Sequence, residues 1–579
     1  MPRRAWRGDR GVVYTRQVRR WSALLLLLAG GVLAARAAAQ TAAPPVVVGT
    51  LVGPGATPAQ PALRLYGTDL GWTFEHRGRL VMLFGDTWAA ADSLCEGEPR
   101  NDDSVATLPL APPDGVPPLT FVTHPDAPDD FARITVRRGA EPLTMAYGQV
   151  PIAGFSDGTR AAAVLGRGEY VRCARAPGRK RPGCSRKDGL VCTDRVGECQ
   201  PSPVEVPVLC ELATGAGCLP GTTCQPTATG LCIDPSSSQN DGTPASEPFL
   251  VAHDQEIATL DETDLSQLTS VARLATNKFI NATARTVRCF TGSRCGGDHR
   301  PGHGALLVWG RPGFQGLGAR EAQLYLLAHP LPMRLDRRGR MRWRPRYFAG
   351  TDARGEPRWS RKQKDAVPLA LDGVAGGSPH EEQPIVNQMS VSWVGPPIEK
   401  WVMLYGGDLA EYLLADPVAQ RPGDAPGAVR IRFADHPWGP WSPPAPHLVP
   451  GHPDVVGDPW GPGGVLFHDA CVDAGAARCA PSDPTRPPDF FLPGCPSFGA
   501  AFDVGRFYGA NVIDAYTRAA GPTAVDLFWN VSTWNPYAVV LMRSRIEAGA
   551  AAAACTKRRG PFRWCERGGP QLDLAEGSS

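Results

Sequence analysis

The chain has 579 residues, 60 of them basic and 57 acidic, for a formal net charge of +3. Residues 1–39 hold eight of the arginines and one aspartate, so the remainder carries 52 basic and 56 acidic residues, a net charge of −4. A folded part without a basic surplus argues against a nucleic-acid or membrane-surface partner.

The first element is an export signal, residues 1–39. A basic stretch through Arg20 precedes an apolar run from Ala23 to Ala35, and Ala37-Ala38-Ala39 supplies small residues for cleavage. The apolar run is shorter than the roughly 20 residues a bilayer helix needs. No membrane insertion is expected after cleavage, and the destination is secreted or periplasmic. All 16 cysteines follow the signal. In an exported chain they read as disulfides rather than as catalytic thiols or zinc ligands.

Downstream, Gly- and Pro-rich turns separate short apolar runs, the pattern of an all-β protein. Five runs recur: Val81 to Asp86, Ala162 to Arg167, Leu306 to Arg311, Val402 to Gly407 and Val525 to Asn530. His76-Arg-Gly-Arg79 gives a hairpin signal before the first, and Trp534-Asn-Pro-Tyr537 leads from the last into a strand at Ala538. Repetition of a several-stranded unit around a ring predicts a five-bladed β-propeller. Amphipathic helix patterns are scarce; Asp261 to Ala275 is the best candidate and fits loop and strand equally well.

Eight cysteines fall between Cys173 and Cys232, in two groups of four. Few apolar residues accompany them, so this segment needs covalent staples to hold a shape. The expected layout is a first propeller part over 45–171, a cysteine-rich disulfide insertion over 172–246, the propeller remainder over 247–546 and a tail over 547–579. The insertion reads as a decorated surface loop or as a knob that binds a partner.

Tyr66-Gly-Thr-Asp-Leu-Gly71 with Leu83-Phe-Gly-Asp-Thr87 is a distinctive pair. With Pro151 to Gly158, Gln388 to Trp393, Lys400 to Tyr405, Trp438 to Ser442 and Val531 to Tyr537, it resembles the exported bacterial family known as domain of unknown function 4185. The resemblance runs from about Leu65 to Arg545. It implies a five-bladed propeller related in shape to furanosidase propellers. It also implies, for some members, endo-acting cleavage of D-arabinan.

Glycoside hydrolysis uses two carboxyl groups, an acid for the leaving oxygen and a nucleophile or base. In a propeller, acids at inner-strand ends face the central funnel. Asp69, beside Gly67 and Gly71, and Asp86, after Gly85, are the candidates for base or nucleophile; both also suit turn capping. By analogy with furanosidase propellers, the base belongs on the first blade. Glu321 and Glu382 are candidate acids by position, as is Glu411. Asp157, in the corresponding turn of the second repeat, reads first as a turn residue and second as a substrate contact. Trp72, Trp88 and Trp309 could stack on sugar rings or pack between blades. Gln388 and Asn530 are candidate sugar contacts. The family pattern often has a glutamate where Gln388 stands, and Gln cannot donate a proton usefully. That departure keeps a non-catalytic carbohydrate- or surface-binding propeller as the alternative. The expected partner is a polysaccharide; no motif calls for a metal or organic cofactor.

Overall fold

The computed structural model describes most of residues 40–87, 102–168, 252–287, 304–311, 323–371, 388–406, 428–449, 506–534 and 538–548, together with short strands within 191–233 and 557–572. Among these residues the architecture is all-β, with only two short 3-10 turns at Gln363–Asp365 and Asp514–Tyr516.

Five antiparallel sheets form the blades. The first runs Leu70–His76, Arg79–Thr87, Asp102–Leu108 and Thr120–Phe121 from the centre outward. The second runs Pro151–Ser156, Ala161–Gly168, Ala252–Leu260 and Gln267–Thr276. It is extended by Thr135–Arg137, which joins in parallel, and Pro142–Thr144. The third begins at Asn281–Val287, Ala305–Arg311 and Tyr325–Pro330, and the fourth at Met389–Val394, Lys400–Gly406 and Val429–Ala434. The fifth takes Arg506–Val512, Ala524–Trp534 and Ala538–Glu547 from the C-terminal side, and its outer strand, Val46–Val52, from the N-terminal side. Each innermost strand contacts the next, and Arg506–Val512 returns to Leu70–His76, so the ring is closed.

All five apolar runs seen in the sequence are second strands of their blades. The reason is burial on both faces. Val81 and Leu83 join the core shared with the second blade, while Leu80, Met82 and Phe84 join the core shared with the fifth. Leu306 and Val308 face one neighbour, Leu307 and Trp309 the other. A strand sandwiched between two sheets is apolar at every position, not at alternate ones. The hairpin signal at 76–79 is a tight turn with Arg77 at φ 47° and Gly78 at φ 75°, the left-handed pair that matches strand twist. Asp261 to Ala275 is not helical: Asp261 caps a turn through Thr263 and Asp264, and Gln267–Thr276 is a strand.

The cysteine-rich stretch contributes two small sheets, one pairing Val191–Thr193 with Leu231–Ile233 and one of Val196–Gln200, Val208–Glu211 and Thr223–Pro226. The cysteine side chains, and with them the expected disulfides, lie outside the described residues. The stretch leaves the second blade after Gly168 and returns at Ala252, between that blade's second and third strands.

Candidate functional site

Alternating strand directions put the start of each inner strand and the end of each second strand on one face of the ring. Asp69 immediately precedes the first inner strand, and Asp86 lies at the end of the second strand beside it. Asn281 and Gln388 occupy the equivalent positions in the third and fourth blades, and Tyr508 lies near the start of the fifth blade's inner strand.

The Asp69 turn is irregular and heavily tied down. Leu70 has φ 66° and Gly71 φ 75°, a left-handed pair that is unfavourable for leucine. Three side chains of the fifth blade hold it: the Leu70 N–H donates to Ser532 Oγ at 2.7 Å, Asn530 Nδ2 donates to the Leu70 carbonyl at 2.7 Å, and Asn511 Nδ2 donates to the Gly71 carbonyl at 2.9 Å. The pairing with the second strand bulges between Leu70 and Trp72, and that strand bulges against the third between Phe84 and Asp86. Bulges turn side chains out of the regular alternation and gather beside functional sites. Backbone strain that several groups hold in place has the same association.

Gly85 sits at the second bulge. A Cβ there would collide with Asp69 Oδ1 and lie 2.8 Å from Leu70 Cδ1. The Gly85 N–H donates to the Asp69 carbonyl at 3.1 Å, and the Gly85 carbonyl accepts the Thr87 hydroxyl at 2.8 Å and the Thr68 hydroxyl at 3.3 Å. Ser104 extends this hydroxyl cluster from the third strand, 2.9 Å from Thr87 Oγ1. The two aspartates are thereby fixed relative to each other by their backbones.

Their electrostatics differ. Burial lifts the Asp86 carboxyl well above the ordinary carboxylate range, and the negative charge of Asp69 adds to that rise. Asp69 is buried, and its Oδ2 accepts the Tyr508 phenol at 2.8 Å. Asp86 thus holds a proton more readily than an ordinary aspartate, beside an Asp69 side chain that accepts a phenol hydrogen bond, a contrast of environments that acid–base sites use. Gln388 is buried, and its Oε1 has no hydrogen-bond partner among the described residues.

Deeper along the axis, Arg285 crosses between blades. It donates to Ser392 Oγ at 3.0 Å, Ser390 Oγ at 3.3 Å and the Val512 carbonyl at 3.1 Å, and pairs with Asp514 at 3.2 Å. It ties three inner strands together below the aspartates.

Other expected contacts lie elsewhere. Asp157 is at the end of its inner strand, on the opposite face. There its neighbour Ser156 meets His76 Nδ1 at 2.8 Å, and His76 Nε2 meets Glu262 at 3.0 Å. Asp157 caps a turn, accepting from Thr159, Arg160 and the Met333 N–H, and these bonds hold its carboxyl below the usual range. Trp72 lies in the core joining the first three blades. Trp309 packs on Trp401 with ring centroids 5.5 Å apart and donates to the Pro437 carbonyl at 2.7 Å. Asn530 is fully buried and engaged with the Leu70 carbonyl. Glu321, Glu382 and Trp88 lie outside the described residues. No group of three metal-ligating side chains occurs among the described residues.

Sequence reasoning missed Tyr508, Asn511 and Ser532. They lie 439 to 462 positions from the turn they hold, and only the closure of the ring brings them to it.

The fold and this mouth define an all-β, five-bladed propeller with an acidic pair at one end of its axis. No family model matches the chain, and no curated protein does. Among solved structures, a protein of unknown function from Dyadobacter fermentans is similar over 88% of this chain and 99% of its own, at 9% identity and TM-score 0.28. A GH62 hydrolase solved with xylotriose has the same coverages, identity and score. A Trypanosoma rangeli sialidase mutant matches over 87% of this chain and 58% of its own, at 9% identity and TM-score 0.26. Likenesses this slight say nothing about chemistry, and the propeller rests on its own sheet order.

Proposed function

We propose that the protein is an exported glycoside hydrolase acting on a furanose-containing, arabinan-type polysaccharide. The observation that carries this is the pair at the mouth: a carboxyl whose proton affinity is raised by burial and by the charge of its neighbour, beside an aspartate that accepts a phenol hydrogen bond. Asp86 would donate its proton to the leaving glycosidic oxygen, and Asp69 would act as the basic partner on the anomeric side. The resemblance noted in the sequence supplies the sugar class.

Incubation with arabinan and arabinogalactan, followed by chromatography of released oligosaccharides, tests the reading. Release by the native chain and none by Asp86→Asn is expected; no release from either polymer would overturn the arabinan assignment. Gln388 favours a second reading, a binding-only propeller, because its buried acceptor oxygen suits a sugar hydroxyl and cannot replace an acid. Calorimetric binding of the same polymers without product would support that reading.

A further inference from the structure

We infer that Tyr508 is the attacking nucleophile of this site and that Asp69 is its general base. The inference deepens the hydrolase reading by naming the atom that attacks, and its test does not depend on a sugar.

Three observations lead here. Tyr508 Oη donates to Asp69 Oδ2 at 2.8 Å, the nucleophile–base contact of covalent catalysis. The base is itself oriented, because Asp69 is fixed by the Leu70–Gly71 turn and the bulge at Gly85. Accessibility separates the two partners: Asp69 is 7% exposed, whereas Tyr508 is only partly buried. Tyr508 is thus the more exposed residue of the pair, and Asp69 Oδ2 is placed to take its phenolic proton.

In the first step Tyr508 Oη bonds to the anomeric carbon while the bond from that carbon to the leaving oxygen breaks. The phenol proton passes to Asp69, and Asp86 gives its proton to the leaving oxygen. In the second step water attacks the anomeric carbon and loses a proton to Asp86. The bond to Tyr508 breaks, and Asp69 returns the proton to the phenolate. Both residues regain their starting states, and the anomeric configuration is retained after two inversions.

The test treats the full folded chain with an arylsulfonyl fluoride and measures the rate of tyrosine modification by peptide mass spectrometry. Reaction forms an oxygen–sulfur bond at the phenol, expels fluoride and needs a base for the proton. Tyr508 is expected to be modified faster than any other tyrosine. Asp69→Asn is expected to slow it by about 10²-fold, the lower end of what a positioned base supplies, with thermal unfolding confirming that the variant is folded. Asp69→Glu, which keeps a carboxylate, is expected to recover part of the rate. Modification of Tyr508 no faster than of other tyrosines, or unchanged by Asp69→Asn, overturns the inference. Rapid Tyr508 modification without cleavage of any polymer would sustain the nucleophile assignment while removing the arabinan reading. Polymer cleavage with an unreactive Tyr508 would do the reverse.

Discussion

Gly85 is the residue on which the mouth turns, because any side chain there occupies the space of the Asp69 carboxylate and Leu70. Gly85→Ala is expected to destabilise the fold by ~1–3 kcal/mol through overpacking and to displace Asp69. Gly115→Ala, with open space around its Cβ, should fall within about 0.5 kcal/mol; chemical denaturation of both variants measures the difference. Asp86 supplies a second expectation. A carboxyl whose pKa is raised on folding supports the folded state at low pH and withdraws that support as pH rises through the raised value. The native protein should therefore lose stability as pH climbs from about 4, the unfolded value, through the elevated folded value of Asp86. Asp86→Asn should remove that slope and be the more stable form at neutral pH. Melting temperatures of the two proteins across this range measure it; parallel curves would show that Asp86 ionises normally.

Interfaces between blades carry the next level. Asn530, on the second strand of the fifth blade, ties the Leu70 carbonyl of the first. Asn530→Leu would leave that carbonyl without this donor, and a cost of ~1–3 kcal/mol is expected, read as a shift in denaturation midpoint. At the seam of the fourth and fifth blades, Trp529 Nε1 donates to Ser544 Oγ at 2.8 Å. The same Ser544 Oγ lies 2.7 Å from His447 Nε2, a contact the neutral imidazole makes as donor or acceptor according to its tautomer. Burial holds His447 down to about 4, and it does the same to His329. The unfolded chain takes up these protons near pH 6.5 while the folded one does not. Stability is lost as pH falls from about 6.5 toward the folded values, by up to ~3 kcal/mol for each histidine. His447→Gln keeps an acceptor that does not titrate, and its acid limb should be shallower in pH-dependent thermal unfolding.

The whole molecule closes by pairing its two ends. Val46–Val52 forms the outer strand of the last blade, and Leu51 and Val52 are completely buried there. A chain starting at Gln40 should fold like the full one. A chain starting after Gly53 would expose an unpaired strand edge at Ala538–Glu547, and such edges associate. Loss of cooperative unfolding and concentration-dependent aggregation in light scattering are the expected result. The same closure assembles the mouth, since Tyr508, Asn511, Asn530 and Ser532 reach Asp69 and its turn across this seam.

The sequence by itself determined the all-β class and the blade count, because a strand buried on both faces leaves a continuous apolar run, and five such runs are visible without coordinates. It also singled out Asp69 and Asp86, since glycines beside acids mark bulges and close approaches. It did not separate a tryptophan on a sugar from one between blades: Trp72 and Trp309 have the composition for either, and only their neighbours decide. Nor did it separate the two ends of the axis, which put Asp157 on the face opposite Asp69. The raised proton affinity of Asp86 and the pairing of Asp69 with Tyr508 were decided by tertiary structure alone. Burial and Coulomb interaction depend on separation in space, and the ring places side chains together that lie at opposite ends of the chain.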